Sequence, residues 1–117
     1  MPLEAIDLAR TLVDVLEEKK AEDIVLLDLA GHSAFADFFI ICTGTSERQL
    51  DALVDAVDET ARKAYQLKSP RVEGHPAGGW VLADFGAVIV HAFSPAQRHR
   101  YKLEELWHEC KVMLRIQ

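Results

Sequence analysis

The chain has 117 residues, half of them hydrophobic and 27% charged, with six Gly, four Pro and two Cys. That is enough for one core and too little for two ordinary domains, and no stretch is low in complexity, so residues 1–117 are expected to fold as a single domain. The net charge of −6 speaks against the broad basic footprint that nucleic-acid binding needs, and with strand-length apolar runs and Glu4 and Asp7 near the start, no membrane span, secretory leader or transit peptide is expected.

The charge is uneven: residues 1–60 carry 14 acidic and 4 basic side chains, net −10, whereas residues 61–117 carry 5 and 9, net +4. Acidic side chains can simply solvate helix faces, but this balance also suits a basic protein partner. Cys42 and Cys110 have neither metal nor redox spacing, which fits buried thiols in a reducing cytoplasm.

Leu3, Ile6, Ala9, Leu12, Val13 and Leu16 recur at helical spacing, with Asp7, Arg10, Asp14, Glu17 and Glu18 between them, and this predicts an amphipathic first helix ending near Lys19 and Lys20. Ile24 to Leu29 is short, branched and apolar and reads as a strand. Gly31, His32 and Ser33 form a turn into a second strand, Phe35 to Cys42, and the short connection predicts an antiparallel pair. Ser46 and Gln49 have the form of a capping box for a second helix. Leu50, Leu53, Val54, Val57, Ala61 and Ala64 form its buried stripe, and the helix should stop before Ser69 and Pro70.

Arg71 to Glu73 reads as a short strand, and the loop Gly74 to Gly79 leads to two strand-like runs, Trp80 to Phe85 and Ala87 to Phe93, joined at Gly86. Trp80, Leu82 and Asp84 fall on one face of the first run and Val81, Ala83 and Phe85 on the other. Both faces are largely apolar, so either the strand is covered twice or one face meets a partner. Ser94 and Pro95 should open a last helix that carries Tyr101, Leu103, Leu106, Trp107, Cys110 and Leu114. The order predicts an α/β or α+β domain with one mixed sheet of about five strands covered by helices.

Little in the chain suggests catalysis. Gly44, Thr45 and Ser46 join a strand to a helix start, a geometry that can meet an anion, but there is no phosphate loop and no GxGxxG, and a plain helix cap accounts for them. Asp84, Phe85 and Gly86 spell a kinase metal-binding tripeptide without the rest of a kinase, and read as a turn in which Gly86 relieves backbone strain. The five histidines lack zinc-site spacing, and His91 within an apolar strand reads as a hydrogen-bonded core residue. No metal and no cofactor are expected. Arg98, His99, Arg100, Tyr101 and Lys102 form the one dense basic cluster, either a solvated helix end or a contact site flanking Trp80.

Taken together, Ala36 to Ser46, Arg71 to Gly74, Trp80 to Gly86, Val88 to Phe93, and Arg98, Tyr101, Leu103, Glu104, Leu106 and Trp107 resemble the ribosomal silencing factor family, also called the Iojap family. The resemblance covers nearly the whole chain in order. It implies a nucleotidyltransferase-like topology without enzymatic activity. It further implies a cytoplasmic translation repressor that binds the large ribosomal subunit through its protein number fourteen, blocking joining of the small subunit when nutrients are limiting. Trp80, Leu82, Asp84 and Phe85 match the family's tryptophan strand, and Glu73, Arg98 and Tyr101 match flanking polar positions, so these seven are the expected partner-binding residues. Phe39 and Phe85 stand where tyrosine is frequent, and Lys102 stands where an acid is common. Two other readings remain: a nucleotide-binding or nucleotidyltransferase-like enzyme using Gly44, Thr45, Ser46 and Asp84, and a self-associating domain whose apolar hairpin pairs with a second copy as a homodimer.

Overall fold

A computed structural model describes residues 4–68 and 70–117. The first helix, α1 (Ala5–Glu18), buries Leu8, Ala9, Leu12, Val13 and Leu16, close to the expected stripe, while Leu3 lies outside the described residues. It leads into β1 (Glu22–Asp28) and β2 (Phe38–Thr43), which pair antiparallel as expected from their short connection. Strand β2 starts later than the apolar run suggested. Phe35 lies ahead of it and is 82% exposed.

The second helix, α2 (Glu47–Tyr65), begins at a capping arrangement that differs from the expected box in one bond. Gln49 N–H donates to Ser46 Oγ at 3.0 Å, but Gln49 Oε1 accepts from the N–H of Thr45 at 2.7 Å instead of from Ser46 itself. Gln49 Nε2 also donates to the Lys20 carbonyl at 2.9 Å, so this residue ties the α2 start to the turn that precedes β1. The helix ends at Tyr65 with Gln66 in the left-handed conformation, four positions ahead of Ser69, which lies outside the described residues. The hydroxyls of Thr11 and Tyr65 share a 2.6 Å hydrogen bond that joins the two helices.

The segment Arg71–His75 forms β3, followed by a short 3₁₀ turn over Pro76–Gly78, then β4 (Trp80–Asp84) and β5 (Val88–Phe93). Between β4 and β5, Gly86 has φ +93° and donates its N–H to Asp84 Oδ1 at 2.7 Å, so the Asp84–Phe85–Gly86 tripeptide is a turn closed by its own carboxylate. Gly74 is fixed by a close approach. Its φ is +84°, and a Cβ there would collide with the carbonyl oxygen of Trp80 on the paired strand.

The last helix is shorter than its apolar spacing implied. Helix α3 (Pro95–Tyr101), capped by the Ser94 side chain, stops at Lys102, whose φ of 48° cannot continue a right-handed helix. A single turn, α4 (Leu103–Leu106), follows, and Lys111–Ile116 then forms a strand, β6, instead of extending the helix through Leu114. The physical reason is the free edge of β1: its residues Ile24–Leu27 are buried, and β6 supplies their outer backbone partners. The sheet therefore has six strands, one more than expected, in the order β3-β4-β5-β2-β1-β6. Only the β2–β5 pair is parallel.

Helices α1 and α2 cover one side of this sheet. The core there is almost wholly aliphatic, with Ile24, Leu26, Ile40, Val81, Ala83, Val88, Val90 and Ala92 facing Leu8, Leu12, Leu16, Leu50, Leu53 and Val57. The other side has its own smaller core of Val25, Leu27, Phe39, Ile41 and Phe93, capped by Leu103, Trp107 and Cys110 from the α3–α4 segment and the turn after it.

Candidate functional site

The short α3–α4 segment covers only part of its side of the sheet. Because cross-strand partners share a face, the register places Glu73, Leu82, His91 and Ile41 in one row, and His75, Trp80, Phe93 and Thr43 in the next. Tyr101 of α3 reaches over Trp80 with ring centroids 4.7 Å apart, and Trp107 meets Phe39 edge-on at 5.3 Å. Beyond Tyr101 nothing among the described residues roofs the β3–β4 end of the sheet. A hollow of about 230 Å³ opens there, lined by Glu73, Gly74, Trp80 and Leu82.

Trp80 is half-buried. Its ring lies 4.9 Å from that of Phe93 as well as 4.7 Å from that of Tyr101, and its Nε1–H donates to Nδ1 of His91 at 3.3 Å. His91 is 4% exposed and packs edge-on against Phe39 at 4.7 Å. Burial pushes its pKa down to about 4, against the opposing pull of the Asp84 carboxylate, so at neutral pH the ring is uncharged. A neutral imidazole that accepts at Nδ1 carries its proton on Nε2. This explains how a donor indole and a histidine can face one another.

The structure brings four of the seven expected contact residues to one open surface: Glu73, exposed on the edge strand; Trp80 and Leu82, half-buried on β4; and Tyr101, 43% exposed above them. Asp84 shares the face of Trp80 and Leu82, but one of its oxygens closes the Gly86 turn. Phe85 is separated from this set, since it packs against the aliphatic core on the α1–α2 side.

Arg98 is also separated, and for an electrostatic reason. It is 9% exposed, donates to Thr43 Oγ1 at 2.9 Å and to the Asp23 carbonyl, and pairs with Glu104 at 2.6 Å and with the Asp23 carboxylate at 3.6 Å. A guanidinium engaged on four sides is a clamp that fastens α3 to the β1–β2 end of the sheet, and so holds Tyr101 over Trp80. The remaining basic residues of that cluster, His99, Arg100 and Lys102, are exposed, and the Arg100 guanidinium lies 5.8 Å from the Tyr101 ring centroid. Of this cluster, Tyr101 packs on Trp80 with Arg100 beside its ring, whereas Arg98, His99 and Lys102 line the cavity around the clamp.

What sequence reasoning did not anticipate is the partnership of His91 with Trp80. The available signal was the alternation along β5 combined with the β4–β5 turn at Gly86, which sets Leu82 opposite His91 and leaves Trp80 diagonal to it.

Two other cavities have different characters. One, about 620 Å³, surrounds the Arg98 clamp and is lined by both signs of charge, including Asp23, Glu104, Glu105, Lys102 and Arg115. A hollow of about 300 Å³ lies between the starts of α2 and α3, lined by Thr45, Ser46, Gly78, Ser94 and Gln97 among others. Among the described residues Glu47 is the one charged residue lining it, which is the wrong sign for a polyphosphate, and the Ser46 and Ser94 hydroxyls are engaged as caps. Asp84 is remote from it. Asp84 pairs with Ile89 near the start of β5, whereas Gly44 binds the Phe93 carbonyl at its end, roughly 13 Å along the strand. The Gly44–Ser46 turn and Asp84 thus do not converge on one nucleotide site. Among the described residues, no group of three or more His, Cys, Asp and Glu is placed to hold a metal ion, and no helix is long and apolar enough to cross a membrane.

Comparison with known proteins agrees with this architecture. A crystal structure of a protein from Chromobacterium violaceum superposes with a TM-score of 0.85 at 35% identity, covering 91% of this chain and 88% of that one. The ribosomal silencing factor RsfS of Halalkalibacterium halodurans is 40% identical over 107 residues, 92% of this chain and 91% of its own. A mouse protein named for mitochondrial assembly of the ribosomal large subunit is 33% identical over 98 residues, 82% of this chain and 43% of its own. The family model described as ribosomal silencing factor during starvation matches residues 2–117, and with the fold and these relatives in agreement, the chain belongs to the ribosomal silencing factor family.

Proposed function

We propose that this protein is a non-enzymatic translation repressor. It docks through Glu73, Trp80, Leu82 and Tyr101 onto protein number fourteen of the large ribosomal subunit and sterically blocks joining of the small subunit. The observation that carries this reading is the half-roofed face of the sheet: an aromatic anchor, an aliphatic neighbour and a carboxylate at its rim surround a hollow open to solvent. Interfaces concentrate their energy in such sites, because a preordered aromatic side chain loses little entropy on docking. The rim carboxylate of Glu73 and the acidic first half of the chain favour a basic protein surface. That the mouse relative is named for the large ribosomal subunit supports the choice of subunit, and the bacterial relatives named as ribosomal silencing factors support a cytoplasmic site of action.

The test is sedimentation of the purified protein with isolated subunits. The protein is expected to travel with large subunits at moderate salt, and adding it before small subunits should shrink the joined-ribosome peak. Leu82→Asp, which puts a charge into the hollow with no loss of buried backbone bonding, should abolish both effects. Failure of the wild-type protein to cosediment would overturn the reading.

A further inference from the structure

Resting on that docking reading, we infer that His91 is a positioning residue, whose Nδ1 lone pair holds the Trp80 indole in the orientation the docking face requires.

The argument begins with an imbalance. His91 lies in the middle of β5 between Val90 and Ala92, both buried, and its Nε2 has no hydrogen-bond partner among the described residues. A buried donor without an acceptor is destabilising, so a hydrocarbon side chain of similar size would suit this position better if packing were its only role. What the imidazole supplies is one acceptor, and it is used: Trp80 Nε1–H donates to it at 3.3 Å.

Trp80 needs that acceptor because of where it stands. On a half-roofed face an indole can turn outward and give its N–H to water, which leaves the hollow beside Leu82 without a wall. Phe93 and Tyr101 pack against the ring at 4.9 and 4.7 Å, but ring packing is tolerant of sliding and rotation. The hydrogen bond is directional and removes that freedom. It also demands one protonation state. The ring must be neutral with its proton on Nε2, because an imidazolium would turn two donors toward each other. Burial against Phe39 and Phe93, with no carboxylate bonded to Nε2, supplies that condition. His91 itself is too enclosed to touch a partner, so its effect on docking passes through Trp80.

The experiment uses the full chain carrying Trp107→Phe, so that Trp80 is the sole tryptophan. His91→Phe keeps a ring and removes the acceptor, and His91→Asn restores an amide oxygen near the place of Nδ1. His91→Phe is expected to red-shift Trp80 emission, increase its quenching by acrylamide and weaken large-subunit binding about fivefold, the worth of one ordinary hydrogen bond. His91→Asn should return all three toward the parent values, a rescue that a purely volumetric role would not give. Unchanged emission, quenching and affinity in His91→Phe would overturn the inference, as would loss without rescue in His91→Asn. A second measurement needs no variant: nitrogen-15 NMR of the wild-type protein at pH 7 should show His91 as the neutral Nε2–H tautomer, and the Nδ1–H tautomer would sink the idea. Failure of the parent protein to bind large subunits counts against the docking reading alone, because the tautomer and the fluorescence are measured without ribosomes.

Discussion

The two sides of the sheet are built from the same strands and yet from different chemistry. Toward α1 and α2, the core residues of the four central strands are mostly Ile, Leu, Val and Ala, buried under the two helices. Toward α3 and α4, they include Phe39, His91, Phe93 and Trp80, met by Tyr101 and Trp107 and left open at the β3–β4 end. Aliphatic side chains fill space without directional demands, and suit a face whose only task is burial. Aromatic side chains with a polar atom combine area with orientation, and suit a face that must be ordered before anything covers it. On the docking reading proposed above, the contrast separates what stabilises the domain from what offers it to a partner.

The sharpest way to break this contrast is a cavity on the aliphatic side. Ile40 is fully buried on a central strand, and Ile40→Ala should lower unfolding free energy by about 3–4 kcal/mol in urea titration. Ribosome binding by the fraction that stays folded should be unaffected.

Acid is the next largest perturbation, and it acts on the aromatic side. The His91 pKa falls from 6.5 to about 4 on folding, so the folded state resists protonation. Its stability contribution is fully present above pH 6.5 and is lost as pH drops toward 4, amounting to about 3 kcal/mol over that window. Carboxylates titrate there as well, so the comparison is with His91→Phe, whose stability should fall less steeply between pH 6.5 and 4.

Arg98→Met tests the clamp that carries Tyr101. It leaves Asp23 and Glu104 without their shared cation, and because both carboxylates are partly exposed the loss should be about 2 kcal/mol in thermal or urea unfolding. Docking should weaken in parallel, since Tyr101 is no longer held over Trp80. The smallest stability effect is expected from Leu82→Ala. Leu82 is only half-buried in the free protein, so unfolding should change by less than about 1 kcal/mol while large-subunit binding drops about tenfold. A Leu82 variant that loses stability and keeps binding would show that the open face belongs to the core.

The faces of β4 were legible from alternation alone, since Trp80, Leu82 and Asp84 against Val81 and Ala83 is a period of two, and the backbone allows no other division. The starts of α2 and α3 were equally local, because a serine three residues ahead of a free N–H is a complete cap. The end of the chain was not legible. Tyr101 to Leu114 has a spacing a helix could use, and only the left-handed turn at Lys102 and the unfilled edge of β1 make residues 111–116 a strand.

The same division runs through the site. Trp80, Leu82 and Glu73 follow from strand alternation and register, which are properties of neighbouring residues in the chain. Arg98 could not be placed that way, because its burial depends on Asp23 and Thr43, which are brought to it from 75 and 55 positions away. Nor could the role of His91, whose acceptor has meaning only beside the Trp80 indole. Sequence by itself determined the elements, the sidedness of the hairpin and the family, because backbone periodicity and caps are local. The tertiary structure decided which charges are spent internally, which face is left open and what holds its tryptophan still, because those depend on groups that only folding brings within bonding distance.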